Sequence, residues 1–184
     1  MEYLCSLWLP ILLTGVGLYI ASFLVWMVLP HHKKDWAGLP DEVGFGNYLR
    51  EQNISGGYYM FPFCGSSAEM KSEEFKQRTK QGPVGLLNVW NSPCNMGLMM
   101  AGTFAFFLVT AFCLAYLATL GLQPEAEFMD VFRFVGTAGI LTYSAANIPC
   151  AIWFKQRILG NLCDGIAYGL IAGLIFAMFW PGAS

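Results

Sequence analysis

Charge is scarce in this chain. Only 12% of its 184 residues are Asp, Glu, Lys or Arg, about half the share of a soluble domain. So few charges cannot cover a water-soluble globule of this length. The formal charge is −2, which gives no reason to expect nucleic acid, a partner that calls for a clustered basic surface. Histidine is rarer still, with two residues, His31 and His32. A haem held by two imidazoles inside a helical bundle needs histidines at membrane depth, and these two sit at the edge of an apolar segment. Cysteine occurs at Cys5, Cys64, Cys94, Cys113, Cys150 and Cys163. None forms C-x-x-C, and no disulfide framework can be read. There is no G-x-S-x-G, no Walker loop, no H-E-x-x-H and no Rossmann fingerprint. No motif names a catalytic residue or implies a cofactor.

What the chain has is apolar surface. It is 56% hydrophobic and 16% aromatic, with a mean hydropathy of +0.50. A membrane span takes about 20 apolar residues. Gaps between charges mark four, at about 4–29, 96–122, 131–154 and 162–180; Arg133 and Lys155 bracket the third, and the apolar run of the fourth follows Asp164. The first is not a signal peptide, because Glu2 precedes it and Lys33 and Lys34 follow it, the reverse of a signal's polarity. The expected fold is an all-α membrane protein, a four-transmembrane-helix bundle forming one domain over 1–184. A small α+β cap at 30–95 joins helices one and two.

Nine of the ten basic residues fall in the 30–93 segment or in the link between spans three and four. The positive-inside rule puts these on the cytoplasmic side. Both termini are then periplasmic and the cap is cytoplasmic, in a bacterial inner (plasma) membrane. Within the cap, Pro40-Asp41-Glu42 opens a helix, and "SGGYYMFPFCG" and "GPVGLLNVWNSP" read as strands. Phe61, Phe63 and Trp90 are expected to supply its core or to touch lipid headgroups.

His31 and His32 are metal-ligand types, and Asp35, Asp41, Glu42 or Cys64 could complete a set. Adjacent residues normally point apart, and no third ligand stands at a recognised spacing. The favoured reading makes them part of a membrane collar with Lys33, Lys34 and Trp36, matched by Lys155 and Arg157. Gly165, Gly169 and Gly173 recur every four residues, placing a thin stripe on one face of the last span. The stripe serves either a subunit contact or packing within the chain, and Gly15 and Gly17 on span one and Gly136 and Gly139 on span three are further thin faces that could partner it. Asn147 is polar at depth and, with Pro149, bends span three. Asp130 and Arg133 are spaced for an ion pair, and Asp164 for the dipole at a helix start.

The words "LPHHKKDWAGLPDE", "YYMFPFC", "GPVGLLNVW" and "CNMG" resemble an uncharacterised family of small four-span bacterial inner-membrane proteins. The resemblance implies location and topology and brings no catalytic residues. The expected role is a non-enzymatic structural or accessory subunit that binds itself or other membrane subunits. A small homo-oligomeric transporter and an interfacial metal-dependent membrane enzyme are the alternatives.

Overall fold

A computed structural model of the chain describes residues 2–182; Met1, Ala183 and Ser184 lie outside the described residues. The chain is mostly helical and forms two compact units, one of residues 1–36 and 95–184, the other of residues 37–94.

The first unit holds a short α1 (Glu2–Ser6), then α2 (Trp8–Met27), and a 3-10 turn (His31–Lys34). It continues with α6 (Met96–Gly121), α7 (Phe128–Ser144), α8 (Asn147–Phe154) and α9 (Leu159–Met178). Four of its helical segments are long and apolar enough to cross a membrane: 8–27, 96–121, 128–154 and 159–178. At 1.5 Å per residue, each spans about 30 Å or more. The expected first helix is broken at Leu7. The expected third is interrupted at Ala145 and Ala146, immediately before Asn147. The Asn147 side-chain amide donates to the Tyr143 carbonyl at 3.2 Å, covering an acceptor that the interruption frees.

The core is narrow. Leu18, Phe107, Leu114, Val131, Val135 and Phe176 are buried where α2, α6, α7 and α9 meet. The outward faces remain apolar: Phe23, Val109, Phe112, Ile152, Leu170 and Leu174 are all exposed. Water-soluble monomers rarely expose apolar surface on this scale.

The second unit contains α3 (Glu42–Glu51), β1 (Gly57–Phe61), α4 (Ser67–Met70), α5 (Glu73–Gln81) and β2 (Gly85–Val89). Asp41 caps α3 by accepting from the Gly44 amide at 2.8 Å, and Ser72 caps α5 through Phe75. These are the side chains that satisfy orphan donors at helix starts. The strands pair antiparallel, Gly57 with Val89 through Phe61 with Gly85. The helix-strand-helix-strand expectation holds here, with α4 added and the boundary at 37–94 instead of 30–95. Its core differs from expectation. Phe61, Phe63 and Trp90 are exposed, and no residue of the 37–94 unit is fully buried. Five-residue strands in a two-stranded ribbon are too short to enclose a core of their own.

Candidate functional site

The glycines show how the helices come together. An added Cβ at Gly169 would lie 2.4 Å from the Ile140 amide nitrogen, and one at Gly173 would lie 2.8 Å from the Phe132 carbonyl oxygen. At Gly165 it would meet the Ser144 hydroxyl and the Tyr143 backbone. The stripe is therefore buried against α7 of the same chain. Gly15 faces Leu108 of α6 and Gly17 faces Ile175 of α9. All five glycines pack inside the chain, so the stripe is not a free surface for a subunit.

The close α7–α9 contact fixes Asp164. It is the sixth residue of α9, not a helix start, so the dipole role expected for it does not apply. Its carboxylate is buried at 7% exposure and points at the 3-10 turn that follows α2. One oxygen accepts from His31 Nε2 at 2.9 Å and the other from His32 Nε2 at 2.7 Å. The second nitrogen of His32, Nδ1, lies 2.8 Å from Asp35 Oδ2. Residue spacing alone does not reveal the tight turn. A 3-10 backbone brings the two imidazole centroids within 4.2 Å, where an extended pair would diverge.

His32 is walled in. Its ring stacks on Trp26 with centroids 4.0 Å apart and planes 3° from parallel. On another side lies Gly160, where a Cβ would stand 2.7 Å from His32 Cε1 and 3.5 Å from His31 Cδ2. His32 is 5% exposed, which removes it from the expected collar. His31 is more open, with its side chain 34% exposed. Lys33, Lys34, Trp36, Lys155 and Arg157 are exposed as a collar would be. Arg157 has a further part, donating its guanidinium to the Lys34 carbonyl at 2.5 Å and tying the α8–α9 link to the turn.

The electrostatics follow from the bonding. Both nitrogens of His32 face carboxylates, so without a metal both must donate and the ring must be an imidazolium. Burial alone would lower its pKa. The hydrogen bonds and charges of Asp164 and Asp35 reverse that, and the net value stands above the ordinary 6.5.

The same atoms have the composition of a metal centre. One ligand atom each from His31, His32 and Asp164 lies within 4.8 Å of the others. Zinc takes imidazole and carboxylate ligands at about 2.0–2.2 Å. A ligating imidazole characteristically donates its other N–H to a carboxylate, which orients the ring. Asp35 stands in that place for His32, leaving Nε2 free to ligate once deprotonated. Of the four partners weighed in the sequence for the histidines, Asp35 is present, while Asp41, Glu42 and Cys64 belong to the other unit. Asp164, 132 residues from His32, carries no sequence signal as a ligand.

Other polar candidates resolve differently. The Thr103, Thr110 and Thr142 hydroxyls each donate to the carbonyl four residues back, at Met99, Phe106 and Ala138. They are satisfied on their own helices. Asp130 and Arg133 share a groove of about 600 Å³ on α7 with Leu122 and Phe134, and the expected ion pair between them does not form. All six cysteines are free. No family model, no curated protein and no solved structure matches the chain.

Proposed function

We propose that this chain is a multi-pass membrane enzyme that binds one divalent zinc-type ion through His31, His32 and Asp164 at the membrane surface. The observation that carries this reading is the convergence of two Nε2 atoms on one buried carboxylate, with Asp35 behind His32. Three protein ligands leave a fourth position for water. Such sites are catalytic more often than structural, because structural zinc is closed by four protein ligands. The ion would supply a hydroxide near neutral pH by lowering the pKa of its bound water. His31 and His32 hold the ion, Asp35 orients His32, and Trp26 and Gly160 keep the rings in place.

The topology in this reading puts Lys33, Lys34, Lys155 and Arg157 in the cytoplasm, with the 37–94 unit on that side and both termini across the membrane. It keeps the membrane location of the resembled family, with an inner-membrane address. An accessory-subunit role loses its main support, since the glycine stripe is used within the chain.

The test is metal analysis of protein purified in detergent without chelators. About one zinc per chain, lost in His32→Ala and Asp164→Asn variants that still fold, is the expected result. A metal-free wild type after zinc reconstitution overturns the reading and leaves His32 as an imidazolium strut between two carboxylates.

A further inference from the structure

Trp26 takes part in two places. Its ring stacks on His32. The same residue lines a mostly apolar groove of about 280 Å³ between the last turns of α2 and the first turns of α6. Ser22, Met96, Met99, Met100 and Thr103 line the same groove. Trp26 is thus a wall shared by the candidate metal centre and an apolar channel along two helices long enough to cross a bilayer. Methionine suits such a wall, because its flexible thioether adapts to chains of different shape. Lys33 and Lys34 are exposed on the turn that carries the histidines, and Arg157 is exposed on the link before α9; the acid beside them, Asp35, is engaged by His32. Arg157 is tethered to that turn through the Lys34 carbonyl.

We infer that the site takes a lipid phosphate, its phosphate head at the His31–His32–Asp164 centre and its hydrocarbon chain in the Trp26–Met99 groove. This inference rests on the metal reading and adds the substrate class. Three features select it. A divalent ion with lysine and arginine around it favours an anionic oxygen head, and guanidinium and ammonium groups are the usual phosphate partners. The groove offers apolar walls and no charged side chain among its lining residues, which suits an alkyl chain and rejects a free sugar phosphate. Both features meet at one residue, Trp26, whose amphipathic ring belongs at the boundary between headgroups and hydrocarbon. A free phosphate would use the first feature alone, and a neutral lipid only the second.

Native mass spectrometry of the zinc-loaded full chain, released from micelles containing phosphatidic acid and diacylglycerol, tests this. The expected result is retained phosphatidic acid with little diacylglycerol. Thr103→Phe, which fills the groove from an exposed helix position, should cut retention about tenfold while zinc stays at one per chain. Ser22→Leu serves as a second filling variant should Thr103→Phe fold poorly. Inorganic phosphate added alone should displace the lipid only weakly. If phosphatidic acid and diacylglycerol are retained equally, if filling the groove changes nothing, or if inorganic phosphate competes as well as the lipid binds, the inference is overturned and the metal reading stands. If zinc itself does not bind, both fail.

Discussion

Trp26 lies face to face on His32, with ring centroids 4.0 Å apart. An aromatic face against a cationic or metal-bound imidazole is attractive by about 0.5–2 kcal/mol, more when the pair is desolvated. Trp26→Phe should preserve most of this. Trp26→Ala should expose the buried ring and weaken zinc binding, with a smaller loss in Phe than in Ala by competition with a chromophoric chelator. Equal losses in the two variants would mean that the stacking is incidental.

Asp164 is the residue on which the site depends most. Replacing it by Asn keeps the shape and removes the charge that both histidines face. Breaking one partner of a buried ion pair costs about 3–5 kcal/mol. Thermal unfolding of metal-free Asp164→Asn in detergent should therefore show a large drop. Asp35→Asn, one step further out, should keep the fold and weaken metal binding about 10–100-fold.

The metal-free protein should lose stability as pH rises. His32 has its folded pKa above the ordinary 6.5. Its contribution is complete below the unfolded value and is lost as pH climbs through the folded one. Unfolding measured across that window should show the loss in wild type and not in His32→Ala. Zinc should reverse the trend, because the ion needs the deprotonated ring and binds better as pH increases.

Two glycine substitutions separate site from scaffold. Gly160→Ala puts a methyl against His32 Cε1 and should lower zinc affinity. A Cβ added at Gly102 would meet nothing within 4 Å, so Gly102→Ala should stabilise α6 by roughly 0.5–1 kcal/mol and leave zinc binding unchanged. Both are read by melting temperature and metal titration.

Gly169→Leu should act on the fold and not on assembly. Its side chain would run into Ile140 and the Gly136 carbonyl. The expected result is loss of the folded monomer by circular dichroism and proteolysis. A well-folded variant with a changed oligomeric state would restore the glycine stripe as an interface.

Much of this fold is legible in sequence because hydrocarbon-length apolar runs are long and their charge gaps are sharp. The helix start at Asp41 follows from the Pro40-Asp41-Glu42 signature, and the one at Met96 from the onset of the apolar run. The break before Asn147 is signalled by the Asn147–Pro149 pair. The glycine period is visible, and two thin faces offer themselves as its partner, Gly15–Gly17 and Gly136–Gly139; the α7–α9 packing selects the second. The site is half legible. Two histidines mark it, yet their shared direction comes from a 3-10 turn with no composition signature. Asp164 reads as one more carboxylate near a helix end until α9 is seen to begin at Leu159.

The centre draws on residues 132 positions apart, with both histidines made early and the carboxylate late. During synthesis the imidazoles emerge after α2 and wait through two further membrane-length segments, 96–121 and 128–154, until the first turns of a third carry their counterpart. No ion can be gripped by all three ligands until α9 has been inserted and pressed against α7. A chain stopped short of Asp164 would keep its histidines and have no centre, so capture of the ion would mark the arrival of α9. Once captured, the ion would join the turn after α2 to α9 like a reversible staple.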